Sequence, residues 1–494
     1  MKKIKSKLDL ETTHDIYKEY INDWKLYDLI WESGQPLIEH ALKKQPAESQ
    51  DNWISRLRDG YVFNFGASII DIYNFYLHEK EVKRSLPGLE DNEQWEMFLK
   101  DADLFGTDYN VLIDEAQKLA SVYGSIGVLV NKPSVSTENL KDEIQNKVYP
   151  YIALYSLPNI LDWEWEKNKD THRRELVYLK LLESDGSYLT WWKDHWEIWK
   201  IVKGRAEMTE SGVNALNEIP FVWMINLKKL KHPEIGKSDL VDVAQIVRSI
   251  ATNLSCGEEA IKFAGFPILR EPMDAEDYLP AIDTDNDEAQ VPIGQQGIVQ
   301  FNPEYGEHGK PDWMPTEIFE PIQAILNWID RKADEIYRIT HLSGVHGQRK
   351  SNNEVASGLA IRYEFSQLNS VLMSKSVNQT EAEKQIIKFW LKWQGMEDVY
   401  KNIEIKRSRE FSIDEMAVAM DNALSAYKSV PSKLFRVRVS QKIAKATMPD
   451  LPESDFKKIN SEIEMNTPEE AEFIDTKTLT RNALESRSDH MPDG

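Results

Sequence analysis

Apolar residues recur at three-to-four spacing in two separate stretches, residues 238–263 and 317–339, each with a polar stripe turned away from its apolar one. In the first, Leu240, Val243, Val247, Ile250 and Leu254 line up against Asp242, Gln245, Ser249, Thr252 and Glu259. In the second, Ile318, Ile322, Ile325, Ile329 and Ile336 line up against Glu320, Gln323, Asn327, Asp330 and Asp334. The spacing predicts two amphipathic helices, each with a packed face and a wet one, suited to lining a polar channel. About fifty residues rich in Pro, Gly, Asp and Asn separate them, reading as a small loop-and-strand subdomain over 264–316. A polar glycine loop, 341–353, then leads into a stretch of about forty residues without proline. It predicts one helix over 354–394, roughly 60 Å long.

Residues 1–130 read as mainly helical, with Gly124 ending a helix and "SIGVLVNKP" following as a short apolar strand. Residues 148–228 alternate in strand fashion between "SDGS" and "TESG" turn signals and predict an antiparallel meander. Farther on, "NIEIKRSREF" reads as a strand, residues 412–466 as helical pieces, and residues 467–494 as a mobile polar tail. The fold class expected is α+β, mainly helical.

At 494 residues the chain needs more than one core, and its net charge of −22 disfavours a surface that wraps DNA through clustered cations. The single cysteine, Cys256, excludes an internal disulfide and fits a reducing cytoplasm. The apolar runs fall short of a membrane span and the N-terminus lacks an apolar signal core, which predicts a soluble, unexported chain. Tryptophans cluster in "DWEWEKNKD" and "TWWKDHWEIWK", where a sheet core, a subunit interface or a sugar platform would each explain them.

The motifs that resemble catalytic ones fail at the positions the chemistry needs. "GKS" at 236–238 has Lys231 where a phosphate-binding loop requires its first glycine, so Ser238 reads as a helix N-cap. "DTDNDE" at 283–288 has Glu288 where a calcium loop requires glycine and Gly294 where it requires a bidentate glutamate. The histidines lack zinc-ligand spacing. Asp162, Glu164, Glu166 and Asp194 lie near Trp163, Trp165, Trp191 and Trp196, the ingredients of a glycosidase, although aromatics alternating along strands are more often packing or interface anchors. Neither catalysis nor a cofactor is expected. The segment "SGVHGQRKSNNEVASG" differs in placing two adjacent cations, Arg349 and Lys350, on a flexible loop of an acidic protein, as transient phosphate contact requires.

From Asn52 to Glu462 the chain resembles the portal proteins of tailed bacteriophages. The resemblance is carried by the order of "VYGSIGVLVNKP", "LPNILDWEWE" with its meander, "IPFVWMINLKK" with "IGKSDLVDVAQIVRSIATN", and "SGVHGQRKSNNEVASGLAIRYEFSQLNS". It implies a wing over 1–236 with a returning strand near 403–411. It further implies stem helices over 237–263 and 317–340, a clip over 264–316, a tunnel loop over 341–353, a long wing helix over 354–395 and a crown within 396–466.

By the same resemblance, His346, Gln348, Arg349 and Lys350 would touch DNA. Asp242, Glu259, Glu320, Asp330 and Asp334 would line the channel, and Trp163, Trp191, Trp196 and Trp199 would anchor subunit contacts. The implied assembly is a ring, usually of twelve copies, at one capsid vertex, built in the host bacterial cytoplasm. Implied partners are the terminase large subunit, which hydrolyses the ATP, a head-tail adaptor, the major capsid and scaffolding proteins, and double-stranded DNA in transit. A different structural virion protein, or one that binds or cleaves glycans, is the alternative.

Overall fold

The structure, a computed structural model, describes residues 4, 6–46, 48–90, 92–133, 140–146, 148–265, 269–272, 298–301, 312–313, 319–342, 358–409, 411, 432–447 and 453–466. Helices dominate the N-terminal part as the periodicity predicts: α1 (Lys7–Glu11), α2 (Asp15–Glu32), α3 (Gly34–Ala41), α4 (Gln50–Asp59) and α5 (Phe65–His78). A short strand β1 (Lys83–Ser85) precedes α6 (Glu93–Lys100) and α7 (Tyr109–Tyr123). Asp108 caps α7 by accepting from the Asn110 amide at 2.8 Å, and Gly124 ends it at φ 97°, a left-handed conformation that favours glycine.

The chain passes directly into β2 (Ser125–Asn131), then α8 (Leu140–Gln145), β3 (Tyr151–Ser156), β4 (Ile160–Lys167), β5 (Arg174–Leu182), β6 (Tyr188–Trp192), β7 (His195–Val202), β8 (Arg205–Val213) and β9 (Phe221–Ile225). The predicted meander holds for β4 to β8, which pair in sequence order as one antiparallel sheet. Its flanking strands leave it. β3 and β9 instead pair antiparallel on either side of β2, because Ser125 to Val130 are buried without alternation and a strand apolar on both faces needs the sheet centre.

Helix α9 (Ala244–Gly265) follows, then three short strands, β10 (Leu269–Pro272), β11 (Ile298–Phe301) and β12 (Asp312–Trp313), then α10 (Phe319–Ile339) and α11 (Gly358–Trp393). β10 is central, parallel to β11 and antiparallel to β12, which gives the region between the two amphipathic helices a small sheet of its own. Of the strand expected near 403–411, three residues form it: β13 (Glu404–Lys406), antiparallel to β1. α9 begins later than predicted. Residues 239–243 are turns, because the Ser238 hydroxyl accepts from the Leu240 amide at 3.0 Å and donates to the Val122 carbonyl, tying the segment to α7 instead of capping a helix.

Two clusters of buried side chains organise residues 1–411. The first contains Trp24, Ile69, Tyr73, Trp163, Trp191, Val247, Ile250 and Leu368; the second contains Trp95, Phe98, Tyr109, Val128, Ile386 and Trp390. α11 contributes to both. Residues 412–494 form a second unit, with α12 (Lys433–Thr447) and α13 (Glu453–Asn466) joined by a 3.1 Å hydrogen bond from Gln441 to Glu464. The 283–288 acidic run, residues 343–357 of the glycine loop and its helix start, and the tail from 467 lie outside the described residues.

The "GKS" glycine has a structural use. A Cβ on Gly236 would lie 1.9 Å from the Gly124 carbonyl oxygen, and one on Gly124 would lie 2.2 Å from that of Gly236, so the two backbones cross in direct contact. Gly236→Ala is therefore expected to destabilise by about 3 kcal/mol or more, since backbone has to move. Gly204→Ala, at φ 79° in open space, should cost only about 1 kcal/mol. Urea midpoints of the two variants check the difference.

Candidate functional site

The helix pair α9 and α10 packs through the predicted stripes. Leu240, Val243, Val247, Ile250 and Leu254 are buried from the first stretch, and Ile329 and Ile336 from the second, with Ile325 and Ile322 half-buried. Lys332 donates to the Ser249 hydroxyl at 2.6 Å, while Gly257 lies against Ile325, where an added methyl would sit 3.5 Å away. As one chain number rises the other falls, so the two helices run antiparallel.

On α10, Glu320, Asp330 and Asp334 are exposed on one face together with Gln323 and Asn327. Asp242 is exposed but paired with Lys237 at 2.8 Å, and Glu259 is half-buried and paired with Lys262 at 3.2 Å. Those two lie seventeen residues apart in the chain. Within one copy the five acids form one short stripe and two separate ion pairs. Cys256 is exposed on α9.

One root of the pair meets a buried lysine directly, and the other meets it through the Tyr73 ring. Lys375, midway along α11 and fully buried, ion-pairs with Asp239 just before α9 and lies 3.3 Å from the Ser121 hydroxyl of α7. Its ammonium also sits 4.5 Å from the centre of the Tyr73 ring, whose hydroxyl donates at 2.5 Å to the Thr340 carbonyl just after α10. Asn226, at the end of β9, completes the set by donating to Asp239 at 3.0 Å and to the Lys237 carbonyl at 3.0 Å. Burial pulls the Lys375 ammonium below the ordinary lysine range, and the Asp239 carboxylate opposes that pull.

A second buried cluster lies further along α11. Glu383 accepts from Arg84 at 2.6 Å and from Arg407 at 2.7 Å, joining α11 to the segments of β1 and β13. Beside it His78 approaches the Asn74 carbonyl through Nδ1 (3.1 Å), and through Nε2 both Gln379 (2.9 Å) and Asp114 (3.0 Å). Burial, then the Arg407 charge, lowers His78 to about 4, whereas burial raises Asp114 to about 6.

The linkage signs oppose. The depressed histidine contributes stability above its unfolded value near 6.5 that is lost as pH falls through about 4, and the raised carboxyl contributes stability at low pH that is lost as pH rises through about 6. Asp114→Asn removes the compensating slope. Its urea midpoint is expected to fall more steeply than that of the parent between pH 7 and 4.5, and parallel curves would show that the two groups are not linked to folding in this way.

The tryptophans expected to anchor neighbours are largely spent inside the subunit. Trp163 and Trp191 are buried, so neither has surface to offer, while Trp196 and Trp199 are half-buried. His14 stacks on Trp163 at 4.2 Å, Arg174 lies over Trp165 at 5.2 Å and His195 stacks on Trp192 at 4.5 Å. Each of these rings has one face covered, and Trp163 and Trp192 are buried besides, which leaves them no bare face for a sugar. Asp162 is buried while Glu164, Glu166 and Asp194 are exposed, and of these four Glu164 alone lines the cleft beside Trp163 and Trp165. His346, Gln348, Arg349 and Lys350 lie outside the described residues.

No protein-family model matches the chain, and no curated protein matches it. Solved structures do. A chain from the neck of an empty GTA particle, computed with C6 symmetry, aligns over 83% of this chain and 99% of its own, at 11% identity and a TM-score of 0.36. A chain from the neck of a native GTA particle, computed with C12 symmetry, aligns over 83% and 98%, at 12% identity and the same TM-score. A likeness at that level carries no weight for function, which has to rest on this chain's own residues. Among the described residues no helix is long and apolar enough to cross a membrane, and no cluster of side chains could hold a metal ion.

Sequence reasoning missed Lys375 and Glu383, and the signal was present. Along α11 the stripe Phe365, Leu368, Leu372, Lys375, Gln379, Glu383, Ile386 and Trp390 keeps helical spacing, with three polar residues inside an otherwise apolar face. Charges on a packed stripe must be paired, so they mark a buried network.

Proposed function

We propose that this chain is the repeated subunit of a portal ring at a phage capsid vertex, the channel through which the genome is packaged and ejected. The observation that carries the reading is the antiparallel α9 and α10 pair, with a small sheet between its members in the chain, one root ion-paired to Lys375 of α11 and the other hydrogen-bonded to Tyr73 of α5. A hairpin of this kind serves as a stem, and copies arranged about an axis would turn the acidic stripe of α10 towards the lumen. Negative walls repel the duplex and let it slide.

In this reading residues 1–236 are the wing, 264–316 the clip that meets the terminase and later the adaptor, and 341–353 the tunnel loop. The subunit performs no chemistry of its own and takes no cofactor; the force comes from the terminase. Capsid and scaffolding proteins surround the ring during assembly.

Light scattering and negative-stain imaging test this directly. The expected result is a ring with a central hole, and for twelve copies of 57.2 kDa a mass of about 690 kDa. A compact monomer at every concentration would sink the reading.

A further inference from the structure

The tip of the hairpin between β4 and β5 is a basic knuckle whose charge is not spent inside the subunit. Residues 167–174 contain Lys167, Lys169, Arg173 and Arg174 against the single acid Asp170, in a chain of net charge −22. Arg174 is engaged with Glu234 at 2.9 Å, but Lys167, Lys169 and Arg173 are exposed and have no ion-pair partner among the described residues. Their mount is stiff. The Asn168 side chain accepts from the Asp170 and Thr171 amides at 2.9 and 3.0 Å, its amide donates to the Arg173 carbonyl at 2.8 Å, and its carbonyl accepts from the His172 amide at 3.0 Å. His172 is held at φ 56°, a conformation that costs a residue with a side chain. Lys167 and Arg174 also stand directly opposite each other on the two strands, a like-charge pairing that weakens the ladder.

The matching surface is the outer face of α6 and its approach. From Glu90 to Asp108 the sequence has seven acids against the single base Lys100. Trp95 and Phe98 are buried in the second core, which turns Glu93 and Glu96 outwards. With Glu90 they are exposed and have no ion-pair partner among the described residues. The hairpin packs on the first core through Trp163 and Leu176, so knuckle and acidic face belong to different parts of one chain.

We propose that the knuckle of one copy, Lys167, Lys169 and Arg173, meets the Glu90, Glu93 and Glu96 face of the next, an inference that rests on the ring reading. The signs select the arrangement. Two knuckles repel and two acidic faces repel, so neither surface can pair with itself across a two-fold axis. Knuckle against acidic face makes a head-to-tail contact, which can repeat around a ring. It also opposes the mutual repulsion of copies that each carry a charge of −22.

The test begins with the unaltered chain. A carbodiimide, which joins an amine to a carboxylate in contact with it, should link Lys167 or Lys169 to Glu90, Glu93 or Glu96 in the cross-linked dimer band, read by peptide mass spectrometry. Charge exchange follows in the full chain. Lys167→Glu, Lys169→Glu and Arg173→Glu together should raise the concentration for half-assembly about tenfold, and so should Glu90→Lys, Glu93→Lys and Glu96→Lys together. The second set is the sharper one, because it reduces the net negative charge and by overall repulsion alone would favour assembly. Combining all six changes should return assembly to within about threefold of the parent. Rings that lack the cross-link, or either set of three assembling as well as the parent, overturn the contact and leave the ring reading standing. So does a knuckle variant that assembles normally but no longer retards a labelled DNA duplex, which would assign the hairpin to nucleic acid. Failure of the parent chain to oligomerise at any concentration overturns both.

Discussion

Asp239→Ala is expected to cost about 3–5 kcal/mol of stability, the largest loss for any single side chain at the root of the α9 and α10 pair. The Lys375 ammonium is fully buried, and its partners other than Asp239 are a hydroxyl and an aromatic face. Removing the carboxylate leaves a charge in the interior that has to deprotonate or drag in water. Asn226 loses an acceptor for its amide at the same time. Lys375→Met strands the Asp239 carboxylate instead, which keeps the Asn226 donor, and the double variant should be clearly more stable than Asp239→Ala alone. Urea unfolding of the four proteins closes the cycle. Additive losses in the double variant would mean that the pair is not coupled.

Replacing both Arg349 and Lys350 with alanine is expected to leave folding and ring formation intact while lowering the yield of DNA-filled heads about tenfold. The expectation rests on charge. In the proposed ring, two cations per copy would become a belt inside an acidic tube, where each phosphate contact would be weak, screened by salt and quickly remade. Alanine at Asp283 and Asp285, in the segment proposed as the clip, removes charge elsewhere and should leave filling near normal. The measurement is complementation of a phage lacking its portal, with heads scored for DNA. Normal filling with the double variant would reduce the loop to a plain connection.

Periodicity made the helix pair, the long helix and the meander legible, because each buries one stripe or one face and the pattern repeats long enough to be read. It misplaced the start of α9. Ser238 has the right chemistry for a helix cap, yet its hydroxyl binds the end of α7, a partner more than a hundred residues away that local reasoning cannot see. The grouping of strands into two sheets was hidden for the same reason: β9 looks like the next strand of the meander, and only the two-sided burial of β2 claims it. The tryptophans of "DWEWE" looked suited to core, interface or sugar, and burial settles Trp163 for the core. Lys375 was legible in principle, as a charge on an apolar stripe.

The position of that lysine along α11 has a mechanical meaning. Seventeen residues of the helix precede Lys375 and eighteen follow it, so it divides a rod of about 54 Å into arms of about 26 Å each. One arm, through Leu368 and Leu372, is bedded in the first core, and the other, through Ile386 and Trp390, in the second. The helix is thus shared by both cores and tied at its middle through the Lys375 pair. A substitution at Lys375 should therefore slacken the packing of both cores rather than one.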